Sequence, residues 1–300
     1  MLTSLPLKLM IRSAGYCVHP EWLTLKGGSL RPVKFPAGYA CLLHPVHGPI
    51  LFDTGYSARF FRETATLPNA LYRYITPVHF REEDSAAAQL QQEGIAPEDV
   101  RYIILSHFHA DHIGGARDYP NARFIYLDKA YAAVRKLGRF ARVKAGFLPG
   151  LLPADFAERS LPVSAAATIG GLDSTAKPAA SWAASFSPGA PLTPESVYDL
   201  LGDGSVLAVE LSGHAEGMIG VFVSTTAHDY LLCADTVWSS RAFLEQRPPH
   251  PAAGLIMSGR LDYKRSFERL QALRAWHPGL RIVPSHCRIA LDNWGKGVLE

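Results

Sequence analysis

The sequence lacks the features that mark a membrane protein, a secreted protein or a nucleic-acid-binding protein. No apolar run approaches the roughly 18 residues needed to span a bilayer. The first ten residues hold neither a long apolar core nor a small-residue cleavage site. Lys and Arg form no dense cluster, and a net charge of +3 over 300 residues is small. We therefore expect neither a membrane nor a nucleic acid as a partner.

Cysteine is also scarce. The four cysteines form no Cys-x-x-Cys pair, and two of them lie inside apolar runs: Cys17, Cys41, Cys233 and Cys287. Such residues behave as small buried hydrophobic side chains in a reducing compartment. The pattern argues against a thiolate zinc knuckle and predicts a cytoplasmic protein.

The composition, 48% hydrophobic and 19% charged, suits a globular chain with a large core. Strand-like and helix-like segments alternate through the first half, although residues 57–80 show no clear period and predict an irregular loop. The stretch 138–194 breaks this alternation because it is rich in Pro, Gly, Ala and Ser. We predict one domain over residues 1–300 with a lid or cap insertion at about 138–194.

The densest group of potential metal ligands follows the apolar run Tyr102–Leu105, which predicts a buried strand. The next ten residues read Ser-His-Phe-His-Ala-Asp-His-Ile-Gly-Gly and contain His107, His109, Asp111 and His112. In an extended segment residues i and i+2 point the same way, so one pair can bind one ion while the next pair faces a second. Imidazole and carboxylate donors suit Zn, Fe(II) or Mn.

Four more candidates lie just past the ends of predicted strands: Asp53, His214, Asp235 and His286. A buried carboxylate at Asp235 without a partner would be costly, which favours a metal partner there. Taken singly, Asp53 could equally be a turn former, and His286 could belong to a plain turn.

The sequence of motifs, His-x-His-x-Asp-His, a later Gly-His, an Asp at a strand end and a final His, resembles the metallo-β-lactamase fold superfamily over nearly the whole chain. The resemblance implies an α/β (α+β) fold, the four-layer αββα sandwich, with two divalent metal ions, expected to be zinc. It assigns one ion to His107, His109 and His214, the other to Asp111, His112 and His286, and the bridging position to Asp235. Asp53, in a Gly-Pro-Ile-Leu-x-Asp-Thr-Gly pattern, would orient ligating histidines from behind.

Two such ions roughly 3.5 to 4 Å apart hold a bridging hydroxide at neutral pH, polarise a carbonyl or phosphoryl oxygen, and stabilise the departing oxygen. Asp111 could also pass a proton to the leaving group. We therefore predict a metal-dependent hydrolase with Asp111 and Asp235 as the catalytic carboxylates and attack by the bridging hydroxide.

Within the superfamily the chain is most similar to the N-acyl homoserine lactone lactonases, which quench quorum sensing. Two positions depart from that pattern. The lactonases commonly carry Tyr three residues after the bridging Asp, where this chain has Trp238, and their second Gly-His is here Gly217-Met218, preceded by Glu216. We predict a small-molecule substrate, a lactone or similar ester with an apolar acyl part, in a pocket that includes Phe108, Phe147, Leu148 and Trp238.

Other functions stay open. A thioesterase of the glyoxalase II type should carry a basic anchor near the C-terminus, where only Arg281 and Arg288 lie. A phosphodiesterase of the ribonuclease Z kind needs a basic arm, and a secreted β-lactamase needs an export signal. A non-enzymatic protein that binds a small ligand around structural metals is a further alternative, and a homodimer is left open.

Overall fold

Seven strands from the first half of the chain form one mixed β-sheet. In the computed structural model, which describes residues 1–164, 191–192 and 196–300, they are β1 (Lys8–Pro20), β2 (Pro32–His44), β3 (Gly48–Phe52), β4 (Val78–His79), β5 (Tyr102–Ile104), β6 (Arg123–Leu127) and β7 (Ser160–Val163). Their order is β4-β1-β2-β3-β5-β6-β7. The strands β3, β5, β6 and β7 run parallel, so their carboxyl ends meet at one edge of the sheet.

Five strands from the second half form the other sheet. They are β8 (Val197–Asp199), β9 (Leu207–Glu210), β10 (Ile219–Ser224), β11 (Asp229–Ala234) and β12 (Arg281–Pro284). Their order is β12-β11-β10-β9-β8. Only β11 and β12 pair in parallel, which brings the residues that follow these two strands to the same edge.

Short helices connect the strands of the described ranges. They are α1 (Glu21–Thr24), α2 (Arg59–Glu63), α3 (Ala70–Ile75), α4 (Ala86–Gln92), α5 (Ala110–Ile113), α6 (Asp128–Arg135), α7 (Arg139–Lys144), α8 (Ser240–Leu244), α9 (Arg260–Trp276) and α10 (Arg288–Trp294). The helix α4 begins where the Ser85 hydroxyl accepts a hydrogen bond from the Ala88 N–H, and it ends before Gly94.

Alternating burial along the strands creates two apolar layers. In β1, Leu9 and Ile11 belong to the core between the sheets, whereas Met10 belongs to a second core on the other face of the first sheet. In the second sheet every residue of β10 and β11 is buried, because buried apolar residues of α9 join the same core. The result is the predicted four-layer αββα sandwich.

The strand predicted at Tyr102–Leu105 appears as β5. The prediction of an irregular loop at 57–80 is wrong, because α2, α3 and β4 lie there. Helices of five or six residues are too short to show a 3.6-residue period in sequence.

The segment predicted as a lid is built partly into the sheet. Within 138–164 the chain forms α7 and the edge strand β7, which pairs with β6. Residues 165–190 and 193–194 of the predicted insertion lie outside the described residues. The lid therefore stays a prediction, and residues 160–163 of the predicted insertion belong to the first sheet.

All four cysteines are buried and unpaired, which agrees with their prediction as small hydrophobic side chains. Among the helices in the described part of the chain, none combines the length and the apolar character that crossing a bilayer requires.

The helix α9 offers a direct test of the packing. The Leu270 side chain is fully buried, whereas Leu261 on the same helix is 73% exposed. We expect Leu270→Ala to lower the free energy of unfolding by about 2–5 kcal/mol through lost contacts and a cavity, and Leu261→Ala to change it by at most about 0.5 kcal/mol. Urea unfolding of both variants measures this, and equal losses would contradict the packing of α9.

Candidate metal centre

The candidate ligands project from the ends of strands in both sheets. His107, His109, Asp111 and His112 follow β5 in the first sheet, and His214, Asp235 and His286 follow β9, β11 and β12 in the second. Parallel pairing of β3 with β5 places Asp53 beside the first group, and parallel pairing of β11 with β12 places Asp235 beside His286. The two sheets thus deliver their polar residues to one shared edge.

Two of these strand ends adopt backbone conformations that residues other than glycine rarely use. Asp53 has φ of +60° and Ala234 has φ of +48°. The Asp53 N–H donates to the carbonyl of Ile104, and the Ala234 carbonyl accepts from the Ser285 N–H at 3.1 Å. Strained backbone of this kind occurs mainly at functional sites, where the surrounding structure holds it. Here it bends the backbone sharply at the ends of β3 and β11, so that the side chains of Asp53 and Asp235 point toward the candidate histidine ligands.

The seven ligand candidates fall into two groups. Within each group one nitrogen or oxygen of every residue lies within 4.8 Å of the others; the groups are His107, His109, His214 and Asp235, and Asp111, His112 and His286. Asp235 lies close to both, because its Oδ2 is 3.3 Å from His214 Nε2 in the first group and 3.0 Å from His286 Nε2 in the second. The geometry therefore places Asp235 between the groups.

Four buried polar atoms that lack hydrogen-bond partners among the described residues show whether the candidate ligands could bind metal ions. His107 Nε2, His112 Nε2, His214 Nδ1 and Asp235 Oδ1 have no hydrogen-bond partner in the described part of the chain. A buried polar atom without a partner costs about 1–3 kcal/mol, and four at one site would be unusual without a ligand. Imidazole nitrogens and carboxylate oxygens are donors that suit a divalent ion such as zinc. The residues fit a pair of metal ions.

Hydrogen bonds on the far side of two histidines fix their tautomers. His112 Nδ1 lies 2.7 Å from Asp53 Oδ2, and His286 Nδ1 lies 2.7 Å from the Pro36 carbonyl. Because each oxygen can only accept, each Nδ1 carries the proton, which leaves the lone pair of Nε2 free to bind an ion. Asp53 also accepts from the N–H and the hydroxyl of Ser106, both at 2.8 Å.

Burial and neighbouring charges divide the histidines into two kinds. Burial lowers the pKa of His109 to about 4 and holds the pKa of His107 and His214 well below 6.5. These rings are neutral at pH 7, as metal ligands must be. Burial also acts against protonation of His112 and His286, but nearby carboxylates outweigh it and raise the pKa of both. The carboxylates around His112 and His286 thus favour a positive charge at these two rings, as a proton or as a bound cation.

A third group, His44, His47 and Asp203, also has ligand atoms close together. His44 Nδ1 accepts hydrogen bonds from the N–H groups of Val46 and His47, and its Nε2 donates to Asp203 at 2.8 Å. Both ring nitrogens of His44 are therefore engaged, and the group stabilises the turn between β2 and β3.

A cavity of about 350 Å³ opens beside the first group of ligands. It is lined by Phe108, His109, Ala130, Ala133, Val134, Leu137, Ala141, Lys144, Ala145, His214, Ala215, Glu216, Ile256, Met257 and Ser258. Most of this lining comes from α6, α7 and the segment before α9. The cavity is mainly apolar, with the charged side chains of Lys144 and Glu216 among its lining residues.

The predicted pocket residues occupy different places. Phe108 lines the cavity, but Phe147 and Leu148 are almost fully buried behind it, and Phe147 packs edge-on against Phe108. Trp238 lies at the metal ligands, with its Nε1 donating to Asp235 Oδ2 at 3.2 Å. The sequence prediction missed the walls from α6 and α7, because small alanine side chains carry no motif.

Ser106 and Gly146 are two further residues that the sequence prediction did not identify. Ser106 joins Asp53 to His107, since its Oγ lies 3.0 Å from His107 Nδ1. Gly146 adopts φ of +62°, and its carbonyl accepts from the Ala110 N–H. A Cβ atom at Gly146 would lie 2.8 Å from His109 Cδ2, so only glycine lets this loop pack against the ring.

Comparison of the sequence with models of known protein families identifies the family of this chain. A model of the metallo-beta-lactamase superfamily matches residues 37–286. This chain belongs to the metallo-beta-lactamase superfamily. The assignment agrees with the two-sheet fold and makes the protein a metal-dependent hydrolase.

Relatives within the superfamily cover almost the whole chain. An N-acyl homoserine lactonase, AttM, of Azorhizobium caulinodans is 25% identical over 96% of this chain and 95% of its own length. A solved N-acyl homoserine lactone hydrolase with the product N-hexanoyl-L-homoserine bound at its catalytic metal centre shares the fold, with a TM-score of 0.69, 19% identity, and coverage of 96% of this chain and 97% of that one. AidC, a dizinc quorum-quenching lactonase, has a TM-score of 0.61 at 16% identity and covers 94% of this chain and 88% of its own.

The close approach of Gly146 to His109 predicts that a side chain at position 146 lowers the affinity for zinc. In Gly146→Ala the new methyl group must displace the imidazole ring, so we expect the affinity for zinc to fall about tenfold or more, measured by competition with a chelator. Gly94→Ala is the matched control, because Gly94 also has positive φ, at +79°, but has no atom within 4 Å of a Cβ. We expect both variants to lose about 1 kcal/mol of stability. Equal zinc affinities would contradict the steric role of Gly146.

The hydrogen bonds of Asp53 predict a second effect on metal binding. Asp53→Asn keeps the side-chain size but weakens the bond that fixes the His112 tautomer, so we expect zinc affinity to fall about 10- to 100-fold. Asp199→Asn is the control, since Asp199 is also buried and, within the described residues, accepts hydrogen bonds from the backbone N–H groups of Leu201, Gly202 and Gly204. If Asp199→Asn lowers zinc affinity as much as Asp53→Asn does, the assigned role of Asp53 is wrong.

Proposed function

We propose that this protein is a dinuclear zinc hydrolase that opens lactones, with N-acyl homoserine lactones as its first candidate substrates. The observation that carries the proposal is the pair of ligand groups joined by Asp235 beside an apolar cavity. The lactonase names of relatives that span almost the whole chain support this choice of substrate class. A cytoplasmic location and a homodimer stay predictions.

We assign one ion to His107, His109 and His214 and the other to Asp111, His112 and His286, with Asp235 shared between them. Zinc suits this set because every donor is an imidazole or a carboxylate and no thiolate is present. When bound, the two ions would supply a hydroxide nucleophile at neutral pH and polarise the carbonyl of the substrate.

We assign to Asp111 the transfer of a proton to the leaving group. Its carboxylate is 7% exposed, with Oδ2 at 3.3 Å from His286 Nε2 and Oδ1 at 3.9 Å from His112 Nε2. A carboxyl group at the metal centre that keeps slight exposure to solvent can take a proton from water. It can then deliver this proton to the alkoxide oxygen that departs when a lactone opens. Asp235, in contrast, is 2% exposed and is placed to hold the two ions together.

The cavity beside His109 and His214 is the site proposed for the acyl part of the substrate. Its walls include three alanines from α6 and α7 and Ala145 just after α7, together with Val134, Leu137, Ile256 and Met257. Each methylene group buried against such walls contributes about 0.8 kcal/mol to binding. A volume of about 350 Å³ lies in the usual range for small-ligand pockets. Lys144 and Glu216 are polar groups that could contact the amide or ring of a bound ester.

The proposal is tested by hydrolysis with the zinc-loaded protein. The substrates are acyl homoserine lactones of several chain lengths, a simple γ-lactone, an aryl ester, a thioester and a bis-aryl phosphate. We expect the lactones to be opened with the highest kcat/KM, because the chain resembles lactonases over almost its full length.

Two variants serve as controls for this measurement. His109→Ala removes a proposed ligand and should abolish turnover, whereas His228→Ala changes an exposed histidine of the β10–β11 hairpin and should leave turnover intact. Turnover of only the thioester or only the phosphate would replace the lactone with that substrate class. If His109→Ala retains full lactone hydrolysis, the assigned metal centre is not the active site.

A further inference from the structure

Trp238 contacts the metal-site residues from a position in the turn after β11. It lies three residues after Asp235, and its side chain is only 6% exposed. The indole ring packs edge-on against the His214 ring, with a centroid distance of 5.3 Å and an interplanar angle of 88°. A bulky apolar ring therefore covers one side of the first ligand group and excludes water there.

The indole N–H makes a specific contact with the shared carboxylate. Trp238 Nε1 donates to Asp235 Oδ2 at 3.2 Å, and that same oxygen lies 3.0 Å from His286 Nε2. Tryptophan has one hydrogen-bonding group, which can only donate. This single donor is therefore engaged by Asp235 and is not available to a substrate carbonyl.

The two oxygens of Asp235 consequently have different surroundings. Oδ2 accepts the Trp238 N–H and lies 3.0 Å from His286 Nε2 and 3.3 Å from His214 Nε2. Oδ1 lies 3.4 Å from His112 Nε2 and has no hydrogen-bond partner in the described part of the chain. A carboxylate can rotate about its terminal bond unless one oxygen is fixed. The N–H of Trp238 fixes this rotation and keeps Oδ2 beside the Nε2 atoms of His214 and His286, with Oδ1 beside His112.

We propose that Trp238 is a positioning residue for Asp235, fixing its carboxylate in the orientation that binds the metal ions. The inference rests on the proposed metal centre and goes beyond it, because Trp238 stands where the resemblance leads one to expect a substrate-contacting tyrosine. Hydrogen-bond partners of metal ligands typically change metal affinity 10- to 100-fold when they are removed. Trp238 therefore acts on metal binding through Asp235 and makes no hydrogen bond to the substrate.

The test compares zinc affinities, measured by chelator competition, in the wild-type protein and in Trp238→Phe. Phenylalanine keeps an aromatic ring but has no N–H, so we expect the zinc affinity to fall about tenfold or more. Trp294→Phe is the matched control, because Trp294 packs on Tyr230 and Arg281 in another part of the fold, and we expect it to leave zinc affinity unchanged. Unfolding midpoints of both variants without metal measure the packing loss separately.

The outcomes separate this inference from the proposed function. A wild-type protein that binds no zinc overturns the metal centre itself. A wild-type protein that binds two zinc ions, with Trp238→Phe within twofold of its affinity, overturns the positioning role and leaves the metal centre standing.

A second measurement needs no substitution at position 238. In ¹⁵N spectra of the wild-type protein, the indole N–H resonance of Trp238 can be assigned by substituting the other tryptophans one at a time. We expect this proton to exchange slowly with solvent and its resonance to shift when zinc binds. Rapid exchange and an unchanged resonance would overturn the hydrogen bond to Asp235.

Discussion

The buried carboxylate of Asp235 is the contact through which the two sheets meet at the candidate metal centre. It reaches His112 from the first sheet and His214, Trp238 and His286 from the second, all within 3.4 Å. A carboxylate buried to this degree is stable only with partners that offer positive charge or hydrogen bonds. The rest of the site is arranged to supply those partners, and the unpartnered atoms that remain are the ones that suit metal ions.

Around this carboxylate, two hydrogen bonds and one close packing contact from outside the centre orient three of the histidine rings. Asp53 fixes His112, the Pro36 carbonyl fixes His286, and Gly146 packs against His109. These contacts come from β3, β2 and the segment after α7, which are far apart in sequence. The backbone strain at Asp53 and Ala234 fits the same picture, because sharply turned strand ends bring the side chains together.

The cavity lies on the side of the centre that α6 and α7 enclose. It reaches His109 and His214 but neither Asp111 nor His286. A substrate held in it would therefore approach from the side of the first ligand group, while Asp111 stays near the second. The two ligand groups therefore differ in their surroundings, because the cavity borders only the first of them.

The sequence by itself determined the fold class, and it selected the candidate metal ligands that the structure brings together. His107, His109, Asp111 and His112 are adjacent in the chain, and each later ligand follows an apolar strand, so local pattern was enough to select them. The short helices at 57–80 were missed because five or six residues carry no readable period. Only the tertiary structure decided the cavity walls, the approach of Gly146 to His109 and the bond from Trp238 to Asp235. These contacts join distant segments through small side chains, a close backbone approach and one N–H group, and none of them leaves a periodic or motif signal in the chain.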